Sequence, residues 1–382
     1  MDDRSKDTQT MTNMLARAGL LTVDLGAIVG NWRTFSGIAR NAKVGAVVKA
    51  NAYGLGIPAV VSALFDAGCE LFFTATVEEA LNVRLYCPSA SIYVFEGLIT
   101  ENVPYYADTN LTPVLGSIAD LKNWHECAPK DAPYALHVET GINRYGIEHS
   151  RLQEARTFIT DTQCPEPVLI VSHFACADEP ENPMNNEQIG LFKRALKLFP
   201  NVAASLCNSS GVFLPAATHF DVVRAGIALY GGRVTEQTTQ LRPVIRLAAR
   251  VMQFKTIPKG QSLGYGAGYL ADSDTRIAIC GIGYADGLIR AASLKTETTN
   301  TKTIVGWIGN HAVPMIGRIS MDCVVYDVTA VPKEILEQCA GIEVLNDRTT
   351  IDDFADAANT IAYEVLTRLG ARLERQYINT QS

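Results

Sequence analysis

Lys49 is the first residue whose type and position could support chemistry. It ends the apolar run VGAVVK and is followed by ANAYGLG. A lysine amine becomes a nucleophile and a base once it has lost its proton. A single lysine at such a position is more often solvated or paired with a carboxylate. The small residues and glycines after it would let the backbone approach a ligand closely, which favours the chemical interpretation.

Metal and disulfide chemistry have little support. The nine cysteines are scattered singly without a CxxC pair, and the six histidines show no HxxxH or HExxH spacing. The sequence therefore predicts reduced thiols and no bound metal.

Short β-rich runs alternate with helical segments over the first part of the chain, which is typical of a parallel sheet wrapped by helices. The strand candidates are KVGAVVKA from Lys43, LFFTAT from Leu71, SIYVFEG from Ser91, LTPVLG from Leu111, YALHVET from Tyr134, PVLIVSHF from Pro167, VAASLCNSS from Val202 and FDVVRAGIALY from Phe220. This pattern predicts an α/β fold, a (β/α)8 TIM-type barrel over residues 19–240. Barrels of this kind place their chemistry at the carboxyl ends of the strands, which is where Lys49 falls.

The pattern of residues changes after GGRVTEQTTQLRP, the predicted linker that starts at Gly231. Shorter runs with glycine, threonine and aspartate turns predict a mostly antiparallel, β-rich C-terminal domain over residues 241–382. One late helix is predicted from Asp352, over DDFADAANTIAYEVLTRLGARLERQY. Residues 1–18 are predicted to form a flexible N-terminal tail.

Composition excludes several classes of function. The formal net charge is -7 and no lysine-rich or arginine-rich run is present, so nucleic acid is not expected as a partner. Residues 1–18 begin with two acids and lack the basic start and apolar stretch of a secretory signal. No apolar run approaches the roughly 20 residues of a membrane-spanning helix. We expect a cytoplasmic protein with no membrane partner.

The string KANAYGLG closely resembles the cofactor-lysine motif of the alanine racemase family. Further strings resemble that family in order and at about its spacing: ETGINRYG from Glu139, SHFACADE from Ser172, CNSSG from Cys207, VRAGIALYG from Val223, LGYGAGY from Leu263, GIGYADG from Gly281, GRISMD from Gly317 and AYEVL from Ala362. The resemblance spans about residues 20–377. It implies interconversion of L-alanine and D-alanine with pyridoxal 5'-phosphate, either to supply D-alanine for peptidoglycan or to degrade it.

The resemblance implies that two residues move the α-proton. Lys49 matches the lysine that carries the cofactor as a Schiff base and then acts as the base on the D-side. Tyr265 matches a tyrosine base on the opposite face, which in the family comes from the partner subunit. A homodimer with shared active sites is therefore expected.

Further matches imply the cofactor-binding residues. Arg224 matches the arginine placed against the pyridine nitrogen, and His173 matches the histidine that bonds this arginine. The other matching positions are Tyr53, Asn208, Ser209, Gly226, Ile227 and Tyr363, most of them toward the phosphate. Without the resemblance, Arg224 would more simply pair with a carboxylate, and the two tyrosines would be half-buried packing residues.

The substrate-binding residues are also implied by the resemblance. Arg144 and the backbone amide of Met321 match groups that hold the substrate carboxylate. Tyr284 and Asp322 match residues that line the entrance from the partner subunit. Taken alone, GYADG and SMD could equally be turn sequences.

Two positions depart from the family pattern. His137 stands where many members have a lysine whose carbamate orients the arginine, and imidazole does not form that stable carbamate. We hypothesise that a bound anion such as chloride, or Glu139, takes its place beside Arg144. Leu55 stands where the cofactor-lysine motif commonly has histidine, which indicates that this histidine is not needed for the chemistry.

Three other functions remain open at this stage. A broad-specificity or serine-preferring racemase would share the same bases and differ in the room around the substrate side chain. A decarboxylase of the same architecture would not need Tyr265. A non-catalytic pyridoxal-phosphate-binding protein resembles the barrel alone, and the strings past the linker count against it.

Overall fold

The computed structural model describes residues 17–39, 41–235, 241–293 and 303–380. Most of the predicted N-terminal tail, 1–18, and the linker residues 236–240 lie outside the described residues. The described chain divides into two compact units, with one formed by residues 28–242 and the other by residues up to Ala27 together with Pro243–Gln381.

The first unit is built on an eight-stranded parallel sheet. Its strands are β2 (Lys43–Val47), β3 (Leu71–Thr74), β4 (Ser91–Val94), β5 (Leu111–Leu115), β6 (Ala135–His137), β7 (Leu169–Val171), β8 (Ala203–Ser205) and β9 (Val222–Ala225). They follow one another in order, and β9 pairs with β2 in parallel. The amide of Arg224 donates to the carbonyl of Cys207, which links β9 to the segment after β8. The predicted TIM-type barrel is confirmed.

Helices connect these strands. They are α1 (Leu25–Ile38), α2 (Ile57–Asp66), α3 (Val77–Tyr86), α4 (Val103–Asp108), α5 (Ile118–Cys127), α6 (Leu152–Asp161) and α7 (Pro183–Leu196). Hydroxyl or amide side chains cap several of their first turns. Thr76 accepts from the amide of Glu79 at the start of α3, and Ser117 accepts from that of Asp120 at the start of α5. Such caps satisfy amides that a helix leaves without an internal partner.

The second unit is a mostly antiparallel β-domain, as predicted. Its strands are β1 (Gly19–Asp24), β10 (Ile245–Ile257), β11 (Ser262–Leu263), β12 (Tyr269–Leu270), β13 (Thr275–Cys280), β14 (Val305–Ile308), β15 (His311–Ile316), β16 (Val324–Asp327), β17 (Gly341–Leu345) and β18 (Glu374–Ile378). The first half of β10 pairs with β1 and β17, and its second half pairs with β13. This double pairing joins β13, β16, β15, β14, β17 and β10 into a closed ring.

Two details differ from the sequence analysis. Residues 19–24 were assigned to the barrel, but they form β1, which pairs with β10 and β18 of the second unit. The single helix predicted from Asp352 is wrong, because the segment forms α9 (Ile351–Ala358), α10 (Ala362–Thr367) and then strand β18. Asn359 has φ +53° and ends α9, and the residues after Gly370 pair with β1. The remaining helix of this unit is α8 (Lys333–Glu337).

No helix within the described residues is long and apolar enough to cross a membrane. Nor do those residues contain a group of three or more histidine, cysteine, aspartate or glutamate side chains that could hold a metal ion.

Candidate active site

Lys49 lies just past the carboxyl end of β2, as the barrel prediction requires. Solvent reaches its side chain, but the surrounding protein still lowers the pKa of the amine, mainly by desolvation. The positive charges of Arg144 and Arg224 lower this pKa further, and the Glu79 carboxylate raises it. An amine in this setting is less protonated near neutrality than an ordinary lysine, which favours its action as nucleophile and base.

The residues that follow Lys49 form a left-handed turn. Ala50, Asn51, Ala52 and Tyr53 have φ of 52°, 55°, 53° and 54°. Each non-glycine residue in this conformation costs about 1–2 kcal/mol. The small residues here were expected to allow close backbone approach, whereas the strain was not expected from the sequence. Strain of this kind persists only when neighbouring groups hold it, and it is concentrated at functional sites.

Arg224 on β9 is a buried cation, and its bonding partners within the described residues are carbonyls, a hydroxyl and an imidazole, with no carboxylate among them. Its side chain is 2% exposed, and Nη1 donates to the carbonyl of Ser205 at 2.9 Å. Nη2 donates to the carbonyl of Ser172 at 2.5 Å and contacts Nδ1 of His173 at 3.1 Å. Burial lowers the pKa of Arg224 to about 10, so the guanidinium remains charged at neutral pH. The predicted pairing of Arg224 with His173 is present in the geometry.

The Arg224 contact fixes the protonation of His173. A guanidinium can only donate, so Nδ1 of His173 must accept and the ring proton lies on Nε2. Desolvation and then the Arg224 charge lower the pKa of His173 well below its usual range, although solvent reaches part of the ring. His173 is therefore neutral at neutral pH. Asn208 Nδ2 lies 3.3 Å from Nε2, but in this tautomer both atoms are donors, so the contact is not a hydrogen bond. Asn208 Nδ2 donates to the Phe174 carbonyl at 3.3 Å, and its Oδ1 accepts from the Gly211 amide at 3.0 Å. Asn208 thus contacts His173 within the predicted cofactor site.

A cradle of backbone amides lies at the end of β9. The Ser209 hydroxyl accepts from the amides of Gly226 at 2.8 Å and Ala228 at 3.4 Å. Ile227 starts the buried 3-10 helix Ile227–Tyr230. A Cβ added at Gly226 would lie 2.5 Å from the Tyr53 hydroxyl, so any larger residue there would displace the Tyr53 ring. Amides, hydroxyls and a glycine in close approach suit a phosphate monoester.

Tyr53 is held over this cradle by its neighbours. Its ring stacks on Tyr230 with centroids 4.5 Å apart, and the Tyr230 hydroxyl donates to the Val47 carbonyl at 2.9 Å. These features fit pyridoxal phosphate group by group. The Lys49 amine suits the aldehyde, the buried Arg224 cation suits the pyridine nitrogen, and the amide cradle suits the phosphate.

The loop that carries Arg144 is organised by Glu139. The Glu139 carboxylate accepts from the amides of Gly141 at 2.5 Å and Arg144 at 3.2 Å, and these bonds contribute to the lowered pKa of this carboxyl. Glu139 therefore caps the turn through backbone bonds, which differs from the expected pairing with the guanidinium. Arg144 itself is exposed. A bound anion beside Arg144 stays a prediction.

His137, in place of the family's lysine, is buried at the end of β6 with 5% exposure. Burial, and after it the charge of Arg224, lowers its pKa to about 4. No described residue forms a hydrogen bond with its Nδ1. A Cβ added at Gly146 would lie 2.5 Å from Nδ1, so backbone packs against this nitrogen. At neutral pH, an uncharged imidazole therefore stands where the family commonly has a lysine.

The second unit brings two of the motif strings together, GIGYADG and GRISMD. The amides of Tyr284 and Ala285 donate to the carbonyls of Ser320 and Met321, each at 3.0 Å. The Arg372 guanidinium joins the same two loops. Its Nε lies 2.8 Å from Oδ1 of Asp286, and its Nη1 lies 2.8 Å from Oδ1 of Asp322.

Tyr265 lies in a neighbouring turn of the second unit, against Arg318. A Cβ added at Gly266 would lie 2.9 Å from Nη1 of Arg318, so the arginine covers this turn closely. The Tyr265 side chain is 66% exposed, and Tyr363 on α10 is 40% exposed.

Sequence reasoning missed Glu79 as a member of this environment. Thr76 and Glu79 have the spacing of a helix-start signal, T-x-x-E, which predicts only where α3 begins. The contact between Glu79 and the segment after Lys49 depends on the adjacency of β2 and β3, which no local pattern reveals.

Comparisons with known proteins agree across both units. The profile "Alanine racemase, N-terminal domain" matches residues 23–234, and "Alanine racemase, C-terminal domain" matches residues 244–377. A biosynthetic alanine racemase of Agrobacterium fabrum is 41% identical over 94% of this chain and 93% of that protein. The catabolic alanine racemase of the same organism is 38% identical over 94% of this chain and 92% of that protein. A crystal structure of the Bartonella henselae alanine racemase with covalently bound pyridoxal phosphate has a TM-score of 0.86 at 32% identity, covering 94% of this chain and 99% of that one.

Proposed function

The chain belongs to the alanine racemase family, and on this premise we propose that Lys49 and Tyr265 are the two bases that move the α-proton of its substrate. The chain is an enzyme that interconverts L-alanine and D-alanine with pyridoxal phosphate as cofactor. The observation that carries the residue assignment is the Lys49 amine of lowered pKa in the field of the buried Arg224 cation.

Pyridoxal phosphate, when bound, supplies an electron sink for the electron pair that is left when the α-proton is removed. Lys49 would hold it covalently, and the Ser209 hydroxyl and the amides of Gly226 and Ile227 would hold its phosphate. Arg224 would donate to the pyridine nitrogen. Because a guanidinium keeps its proton at neutral pH, this contact holds the nitrogen without protonating it and limits the sink to a short-lived negative charge.

Lys49 would accept or return the α-proton on the D-side. The nearby charges of Arg144 and Arg224 favour the neutral amine, which is the form that can accept a proton. Arg144, exposed at the end of its capped turn, would hold the substrate carboxylate together with the Met321 amide. A fixed carboxylate leaves the α-carbon between two bases instead of letting it turn toward one.

Tyr265 would act on the L-side from the partner subunit of a homodimer. Its side chain is largely exposed in its own unit, and so are Met252 at 51%, Leu270 at 60% and Met321 at 52%. Exposed apolar side chains of this size suit an interface between copies of the chain. Tyr284 and Asp322 would complete the entrance to the site, and Tyr363, with Tyr53, would bind the phosphate of the cofactor.

A deuterium experiment tests the two roles separately. In deuterium oxide, wild-type protein with pyridoxal phosphate should convert L-alanine into D-alanine that carries deuterium at the α-carbon. Tyr265→Phe should still exchange the α-hydrogen of D-alanine through Lys49 but should not racemise it, and Lys49→Ala should do neither. Racemisation by Tyr265→Phe at the wild-type rate would refute its role. Serine run in parallel measures how strictly the site selects alanine.

Mixing the two inactive variants tests the shared site. A dimer of one Lys49→Ala chain and one Tyr265→Phe chain has one site with both bases intact if the tyrosine comes from the partner. Activity should therefore return after subunit exchange. Failure to recover activity, with heterodimers verified by mass, would show that each chain uses its own tyrosine.

A further inference from the structure

We propose that Glu79 is a positioning residue for Lys49, because its carboxylate holds the strained turn that follows the lysine. The inference rests on the proposed role of Lys49 as the cofactor lysine and extends it to a residue outside the family motif strings. Glu79 belongs to the first turn of α3, which follows the neighbouring strand β3.

The turn needs support from outside itself. Its own backbone supplies the bonds from the amide of Gly54 to the carbonyl of Ala50 at 2.8 Å and from the amide of Gly56 to that of Asn51 at 2.9 Å. A further bond, from the amide of Ala52 to the carbonyl of Val48 at 2.8 Å, spans Lys49 itself, and none of these three bonds uses the amide of Asn51. The amide of Asn51 lies nearer to Lys49, and it donates to Oε1 of Glu79 at 3.2 Å.

The second oxygen of Glu79 makes this contact a bridge. Oε2 accepts from the amide of Ala75 at 3.0 Å, in the loop after β3. One carboxylate thus joins the chain after β2 to the chain after β3, so both oxygens are engaged by backbone. The Glu79 amide is in turn bonded to the Thr76 hydroxyl at 3.3 Å, which fixes the start of the helix that carries the carboxylate. A bond to a charged acceptor is stronger than one between neutral groups.

Asn51 completes the arrangement on its other side. Its Oδ1 accepts from the amide of Ile57, the first residue of α2, at 3.0 Å. Asn51 is therefore held both by α2 and by α3. Because the next residues have left-handed dihedrals that L-amino acids disfavour, release of one holding group lets the segment relax. Lys49 is joined directly to this segment and would move with it.

The negative charge of Glu79 also helps to hold Lys49 in place. Among the charged side chains that shift the pKa of Lys49, Glu79 is the anion, whereas Arg144 and Arg224 are cations. Glu79 therefore attracts the lysine whenever that side chain carries positive charge. Removal of the Glu79 carboxylate would therefore have two effects. It would leave Lys49 among positive charges, and it would remove one of the bonds that hold the turn after Lys49.

Three variants separate these effects. Glu79→Gln keeps the shape but presents an amide nitrogen to one of the two backbone donors, so one bond is lost together with the charge. Glu79→Asp keeps the charge but shortens the reach. Glu78→Gln is the matched control, because Glu78 is an exposed neighbour in the same helical turn. All variants are prepared as full-length holoenzyme, and the cofactor is then removed from a portion of each.

Two measurements do not depend on turnover. Hydrogen exchange, read by mass spectrometry on the peptide that covers residues 49–57, should be faster in Glu79→Gln than in wild type and Glu78→Gln. Uptake of pyridoxal phosphate by the apoenzyme, followed by visible absorbance, should slow about tenfold, the order expected for one charge-assisted bond. Glu79→Asp should show the same faster exchange and slower uptake, because its shorter side chain cannot reach the backbone amides that position the turn.

The kinetic result completes the test. In Glu79→Gln, kcat/KM should fall about tenfold in both directions, since alanine enantiomers are equal in free energy. Unchanged exchange at residues 49–57 would overturn the proposal, and so would faster exchange with wild-type uptake and kcat/KM. Absence of racemase activity in wild type would instead refute the proposed function, and exchange and uptake would still decide the role of Glu79.

Discussion

Replacement of His137 by glutamine should remove part of the acid sensitivity of the protein. His137 is 5% exposed, and its pKa is lowered from 6.5 to about 4. In the unfolded chain the ring binds a proton below about pH 6.5, whereas in the folded chain it stays neutral down to about pH 4. The free energy of unfolding therefore includes a contribution that is present above pH 6.5 and is lost as the pH falls toward 4.

The size of this contribution follows from the two pKa values. Between pH 7 and pH 5 the difference in proton binding amounts to about 2 kcal/mol for a single site with these values. His173, whose pKa is lowered as well, adds a loss of its own to the wild type. That loss is common to wild type and variant, so it cancels when the two are compared.

Glutamine is a suitable replacement because it is neutral at both pH values and its side chain is polar and close to histidine in length. Urea unfolding of both proteins would be measured at pH 7 and pH 5, at one protomer concentration and with the cofactor removed. The wild type should lose about 2 kcal/mol more than the variant over this interval. Any pH-independent effect of the substitution cancels in this double difference. Equal losses would show that His137 titrates alike in the folded and unfolded chains.

Three further predictions concern single contacts. Gly226→Ala should weaken pyridoxal phosphate binding about tenfold, measured by absorbance titration, because the added Cβ lies 2.5 Å from the Tyr53 hydroxyl; unchanged affinity would show that Tyr53 can move freely. Asn31→Leu should lower the free energy of unfolding by about 3 kcal/mol, since its fully buried amide bonds both the carbonyl and the amide of Arg242 at 3.0 and 2.8 Å. Arg372→Met should raise the KM for alanine more than it lowers kcat, because this arginine joins the two loops that carry the predicted entrance residues. An effect on kcat alone would contradict that role.

The sequence alone was sufficient to predict the barrel, because each of its strands and helices is indicated by a local pattern of residues. Each β-rich run and the helical segment after it reveal their own period, and a series of such units leaves few topologies. The end of β2 could be located in the same way, and with it Lys49. The motif strings then indicated which side chains to examine, including Arg224 and His173.

The failures occurred where the partner of a segment is distant in sequence. The residues around Arg375 were expected to continue a helix, yet they form β18 beside β1, which is more than three hundred positions away in the chain. Residues 19–24 were assigned to the barrel, yet they form β1, which pairs with β10 more than two hundred positions away. In both cases the local pattern permitted two structures, and hydrogen bonding chose between them.

The sequence by itself determined the type of fold, the family and the lysine at the end of β2. Only the tertiary structure decided that the four residues after Lys49 are left-handed, that Glu79 contacts them, and that the Arg224 cation is buried against carbonyls and a neutral histidine. The reason is physical. Alanine disfavours a positive φ, and an arginine is costly to bury without a carboxylate partner, so both occur only where contacts from other strands and helices offset their cost.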